Sequence, residues 1–303
     1  MGDDVPADIQ YLLKKIPDAL RRFTVDAETL SAQSRIPLDL LDDLISAGLP
    51  SDYREGNRYF DEIDIANISL YQRLPTPVTL GMRCRAMALM ESSSAGEFEV
   101  EIVPSCPDLG HPGPCHFDTW GAAGWTQAGT GSDARWLHSS IPPDTELPEN
   151  IIRIVSGVAN ELTFFHLPEI LRGDISFAVS SGVADCRAAA AVLVGRAQES
   201  DIPARPAFGF LLSPPFSSPH QWVEFLVDGR WIAVDPILLR ALAEWNMLDG
   251  AEWPPHRSPS QILKRIGSDY APLARHNGAV TTASLPTRWR ADISGESQAR
   301  ESR

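Results

Sequence analysis

Long apolar runs are missing from this sequence, cysteines are sparse, and basic residues are in the minority. No stretch of about 18 or more apolar residues occurs, which argues against a membrane-spanning helix. Met1-Gly2-Asp3-Asp4 is acidic and polar where a secretory signal would be basic and then apolar, so a cytoplasmic location is expected. Four cysteines in 303 residues are too few and too scattered for a disulfide framework. A reducing compartment would also leave a catalytic thiolate intact. Against 40 Asp and Glu stand only 26 Lys and Arg, a net charge of −14. That balance excludes general affinity for nucleic acid, which needs clustered Lys and Arg, and docking on an anionic membrane.

What is present suffices for a folded protein. The chain is 43% hydrophobic and long enough to bury a core without metals or disulfides. Three regions are expected: an N-terminal module over residues 1–75, a main domain over 76–280, and a polar, disordered tail over 281–303. In the module, Phe23 to Leu30 begins a helix with Thr24 or Asp26 as cap, and Pro37 to Ala47 carries Leu38, Leu41, Leu44 and Ile45 at helical spacing before Gly48. Tyr53 to Phe60 reads as a tight turn that could form a wing, and Asp61 to about Leu74 as a third helix. This order resembles the winged helix-turn-helix of the MerR family. Such a likeness implies DNA binding, but residues 1–75 hold eight basic and fourteen acidic residues, and the presumed recognition helix carries Asp39, Asp42 and Asp43. Docking of a peptide or partner, or a plain structural role, is expected instead.

In residues 76–150, Glu97 to Val103 alternates like a half-buried strand. A Pro-, Gly- and Ser-rich stretch from Pro104 to Pro143 follows, holding Cys106, His111, Cys115 and His116. Zinc sites generally pair ligands about two to four residues apart, and the adjacent Cys115-His116 is awkward for that geometry. No metal or cofactor is assigned from sequence. From Glu149, Ile151, Ile154, Val155, Val158 and Leu162 form one apolar helix face.

The chemistry lies in residues 180–240. Cys186 opens an Ala-rich helix after the loop Ser180 to Asp185. A thiol in a first helical turn sits near backbone N–H groups and the positive end of the macrodipole, which favour the thiolate and can also serve an oxyanion. Pro206 to Leu212 reads as a strand, His220 to Val227 as a second, and Arg230 to Asp235 as its partner across an Asp228-Gly229 turn. A histidine starting one strand and an aspartate ending its neighbour would meet side by side. Cys186 would then attack, His220 move the proton, and Asp235 fix the imidazole. Trp222 and Trp231 are expected beneath the site as core residues, and Arg205 and Glu224 as a structural pair.

Cysteine at a helix start, Ile202-Pro203-Ala204-Arg205, His220-Gln221-Trp222-Val223-Glu224, Asp228-Gly229-Arg230-Trp231 and Val234-Asp235-Pro236 together resemble the core of the transglutaminase-like superfamily over about 60 residues. The resemblance implies an α+β, papain-like fold in which a cysteine helix packs on an antiparallel sheet. It also implies acyl transfer through a thioester, completed by an amine or by water, so acyltransferase and thiol protease or amidase activities are both open. Two positions depart from the family pattern: Gly182 lies four residues before the cysteine where many relatives have glycine two before, and Gln221 stands where alanine is usual. Asp185, beside the nucleophile, would oppose its ionisation if it points inward. The expected partner is a peptide or small acyl or amine substrate, carrier- or leader-bound. The alternative is a regulator or partner-binding protein with an inactive transglutaminase-like domain.

Overall fold

The computed structural model describes residues 7–34, 36–91, 96–108, 110–111, 113–121, 124–128, 135–140 and 146–291. It is a mixed α and β structure, with nine α-helices among the described residues and mostly antiparallel sheets, consistent with a transglutaminase-like, papain-like fold. The chain divides into two compact units. One comprises residues 1–83, 149–200 and 235–256, the other 84–148, 201–234 and 257–303.

The first unit is mainly helical. It holds α1 (Ala7–Leu13), β1 (Phe23–Asp26), α2 (Ala27–Ser34), α3 (Leu38–Ser46), β2 (Asp52–Arg54), β3 (Asn57–Asp61) and α4 (Glu62–Tyr71). The division falls within α5 (Pro77–Glu91). Then come α6 (Glu149–Glu161), β9 (Thr163–Phe164), α7 (Ile175–Ser181), β10 (Val183–Ala184), α8 (Cys186–Glu199) and α9 (Pro236–Glu244). Phe23 to Asp26 forms a strand, and the helix begins only at Ala27 because Asp26 caps it: its carboxylate accepts the Thr29 N–H at 2.8 Å. Helix α3 buries Leu41 and Leu44 and ends before Gly48, whose φ of 98° suits glycine. Between β2 and β3, Glu55 and Gly56 both take positive φ, closing a two-residue hairpin. Asp61 caps α4 through the Ile63 and Asp64 amides.

The N-terminal elements do not pack alone. Ile9, Leu13, Leu30, Leu41, Leu44, Phe60, Ile65 and Ile68 share one apolar cluster with Phe165, Leu167, Leu171 and Val183. At its edge Arg21 is buried against Asp64, with Nε 2.6 Å from Oδ2. Its guanidinium also donates to Ile16 O and Leu13 O and pairs with Asp18. Burial pushes the Asp64 carboxyl up to about 6 from an ordinary 3.8, even though Arg21 draws it down.

The second unit is built of sheets. Strands β4 (Gly96–Glu101), β8 (Arg135–Ser140) and β18 (Thr287–Ala291) form one sheet in the order β18-β4-β8. Strands β6 (Phe117–Gly121), β7 (Gly124–Gln127), β15 (Ala274–His276) and β16 (Ala279–Thr281) form another, in the order β16-β15-β6-β7. A short pair joins β5 (Val103–Pro104) to β17 (Ala283–Ser284). A second four-stranded antiparallel sheet orders β11 (Ala204–Leu211), β12 (Ser218–Val227), β13 (Arg230–Val234) and β14 (Leu263–Gly267) as β13-β12-β11-β14. Residues 283–291, assigned from sequence to a polar tail, form strands β17 and β18. Trp289 packs on Phe98 with ring centroids 4.5 Å apart, an apolar anchor that the composition of the tail hides. Residues 292–303 lie outside the described residues. Among the described residues no helix is long and apolar enough to cross a membrane.

Asp64 binds a proton in the folded state between pH 3.8 and about 6, where the unfolded chain does not, so its contribution to stability grows as pH falls through that window. Replacing Arg21 with Met strands the Asp64 charge and should cost ~3–5 kcal/mol at pH 7. That deficit should shrink towards pH 5 as Asp64 takes up its proton, which denaturant titrations of both proteins at the two pH values would check.

Candidate active site

Cys186 is the first residue of a 14-residue helix, α8, and is partly exposed. The chain reaches it through a series of fixed steps. Helix α7 ends at Gly182 in the left-handed region (φ 75°), where a side chain would be strained. Glycine here serves as a helix cap, which accounts for its position four residues before the cysteine. Val183 and Ala184 then pair in parallel with Thr163 and Phe164. The amides of Thr163 and Phe165 donate to Gly182 O at 2.8 Å and Ala184 O at 2.9 Å.

Asp185 is the helix cap. Its Oδ1 accepts the Ala188 N–H at 2.9 Å and its Oδ2 lies 3.7 Å from Arg172 Nε. Burial pushes its carboxyl up, while the Ala188 amide and Arg172 act in the opposite direction. The carboxylate that could oppose thiolate formation is thus engaged by the helix terminus and a guanidinium. Arg172 is itself held by Leu167 O and Glu169.

A residue far away in sequence supports the same segment. Asn67, fully buried in α4, donates to His166 O at 3.0 Å and accepts from His166 N at 2.8 Å. Tyr71, also in α4, donates its hydroxyl to Phe164 O at 2.9 Å, and burial pushes that phenol well above its ordinary range. The strand beside the cysteine loop is therefore pinned by the N-terminal region. Sequence reasoning missed Asn67. Its one signal is a polar residue placed among Ile63, Ile65, Ile68 and Leu70 on a helix, which demands a buried partner.

In the sheet unit, His220 is the third residue of β12 rather than its first, and it is buried. Its ring stacks on Trp222, with centroids 6.4 Å apart and an interplanar angle of 17°. Across the ladder His220 faces Gly209 of β11. A Cβ on Gly209 would come within 1.9 Å of Lys264 O, so only glycine lets β14 approach the strand that flanks the histidine. The turn Asp228-Gly229 has both residues at positive φ, as its sequence predicts. Strand β13 ends at Val234, paired with Val223. Asp235 follows as the cap of α9, buried, accepting the Leu238 N–H at 3.1 Å on Oδ1, with Pro236 in the first helical position. Cys186 and Asp235 belong to the helical unit and His220 to the sheet unit.

The tryptophans differ from each other. Trp222 is core, 2% exposed, but Trp231 is 39% exposed and carries the Arg205 guanidinium 4.0 Å above its ring. Arg205 and Glu224 do pair, at 2.6 Å across β11 and β12, with Arg265 Nε 3.5 Å from the same oxygen.

Residues 134–236 match the family model of the transglutaminase-like superfamily, and that segment contains Cys186, His220 and Asp235. A crystal structure from Cytophaga hutchinsonii, described as that of a "Putative Cysteine Protease", aligns at 14% identity over 66% of this chain and 88% of that one, with a TM-score of 0.32. No curated protein matches the sequence.

Replacing Asn67 with Leu removes both of its hydrogen bonds to the His166 backbone, at about 0.5–1.5 kcal/mol each. The variant should be destabilised accordingly. It should also alkylate more slowly at Cys186 under native conditions, measured by timed labelling and peptide mass mapping.

Proposed function

We propose that the protein is a cysteine enzyme that breaks or makes amide bonds through a thioester on Cys186, acting on a peptide or a small acyl substrate. The observation that carries this reading is the placement of Cys186: a partly exposed thiol opening a long helix whose preceding residues are fixed by a cap and a strand pair. The match of residues 134–236 to the transglutaminase-like superfamily supports cysteine-dependent acyl transfer or hydrolysis in general.

In this reading His220 accepts the Sγ proton and the thiolate attacks the substrate carbonyl carbon. The positive N-terminal end of α8 stabilises the resulting oxyanion. Collapse expels the amine, which takes the proton from the imidazolium, and leaves the acyl group on sulfur. Water or a second amine, deprotonated by His220, then attacks the thioester and releases Cys186. Asp235 orients the imidazole and supports its positive charge. The stacking of His220 on Trp222 further restricts the ring.

The N-terminal region docks the substrate, its leader or its carrier in this proposal. A cleft of about 560 Å³ lies in the helical unit between residues 19–24 and 61–63 on one side and residues 168–172 on the other. It is lined by both charge signs, with Arg22, Glu62, Glu169 and Arg172 among them. This suits a polar peptide better than a nucleic acid.

Cys186→Ala should abolish turnover of an amide or ester substrate, whereas Asp235→Asn should leave a residual rate. Iodoacetamide at pH 6–7 should modify Cys186 faster than an exposed model thiol; equal rates would contradict an activated nucleophile and favour an inactive domain.

A further inference from the structure

Four side chains that no step of the proposed reaction uses converge in the sheet unit. Cys106, His111, Cys115 and His276 each offer a ligand atom, and these atoms all lie within 4.8 Å of one another. His111 Nε2 is 3.1 Å from Cys115 Sγ. The rings of His111 and His276 sit 4.8 Å apart between centroids. His276 is the last residue of β15 and pairs with Phe117, two residues beyond Cys115, so sheet register brings the two ligands together. Asn277 strengthens that register: its amide donates to His116 O at 2.8 Å and its Oδ1 accepts the His116 N–H at 3.1 Å. Phe117 packs on the His276 ring at 5.0 Å.

We propose that these four residues form a structural zinc site that fastens the Pro- and Gly-rich segment between β5 and β6 to the β6–β15 pair. Two thiolates with two imidazoles are the donor set of tetrahedral zinc, and all four positions are filled from the protein, so the site is structural rather than catalytic. With Zn–S near 2.3 Å and Zn–N near 2.0–2.1 Å, tetrahedral ligand atoms stand about 3.3–3.8 Å apart. The cluster therefore needs to contract by no more than about 1.5 Å. Binding releases the thiol protons of Cys106 and Cys115 to solvent and leaves the sulfur oxidation state unchanged. The fourth ligand is His276, not His116: the sequence neighbour of Cys115 is engaged through its backbone and is not one of the four.

The test uses the full chain, purified without chelators and with a reductant present. Elemental analysis should find about one zinc per chain. His276→Ala and Cys115→Ser should lose it, while His116→Ala should retain it. Replacement by cobalt(II) should give thiolate-to-metal absorption bands that disappear in Cys106→Ser. Chelation should lower the melting temperature of the wild type, and added zinc should restore it. If His276→Ala fails to fold, His276→Cys, which keeps a ligand, should rescue both folding and metal content. Absence of zinc and of cobalt bands after reconstitution would overturn the proposal. So would equal metal in wild type and His276→Ala, or a Cys106–Cys115 disulfide seen as a loss of two hydrogens by mass. Since Cys186 and His220 take no part, loss of metal with alkylation of Cys186 unchanged separates this proposal from the enzymatic one.

Discussion

The start of α8 is held by a chain of hydrogen bonds that runs back to α4. Its cap, Asp185, satisfies the Ala188 amide. The two residues before the cap are held by β9, and β9 and its continuation are held by Asn67 and Tyr71 of α4. Each link replaces a conformational choice with a hydrogen bond, so Cys186 emerges from a segment with little freedom left. The proposed nucleophile needs that restraint: misplacement by about 1 Å can cost a hundredfold in rate. The N-terminal region is accordingly more than an appendage. It shares its core with residues 165–183, so damage to that core, as at Arg21 and Asp64, would reach the segment that presents the thiol.

Much of this arrangement is legible in the sequence because it is local. A cysteine at the head of an alanine-rich run predicts helix α8, while its cap, Asp185, is read from the sequence only as part of the preceding loop. Asp228-Gly229 between alternating apolar residues predicts the β12–β13 hairpin, and Gly48 marks the end of α3. These signals involve residues a few positions apart, where backbone preference and side-chain pattern act together. The strand at Phe23 to Asp26 is harder to see, since its ladder partner, β3, lies over thirty residues away. The same holds for Asn67, whose partner is 99 residues distant.

The Cys/His cluster shows the limit most sharply. Read along the chain, Cys106, His111, Cys115 and His116 have unsuitable spacing, since adjacent residues at 115 and 116 cannot both reach one ion comfortably. Pairing of β6 with β15 brings in a histidine 161 positions beyond Cys115 in place of its neighbour. No local pattern announces that exchange. It follows only from the sheet register, which depends on Asn277 and on the burial of β15.

The proposed chemistry requires that Cys186 carry an acyl group during turnover. Its most direct test is to quench the protein with an activated acyl ester or amide at acid pH and locate the adduct by peptide mass mapping. A hydroxylamine-labile acyl group is expected on Cys186 alone, lost in Cys186→Ala and accumulating in wild type before steady state. An adduct spread evenly over Cys84, Cys106, Cys115 and Cys186, or confined to any of the first three, would contradict it.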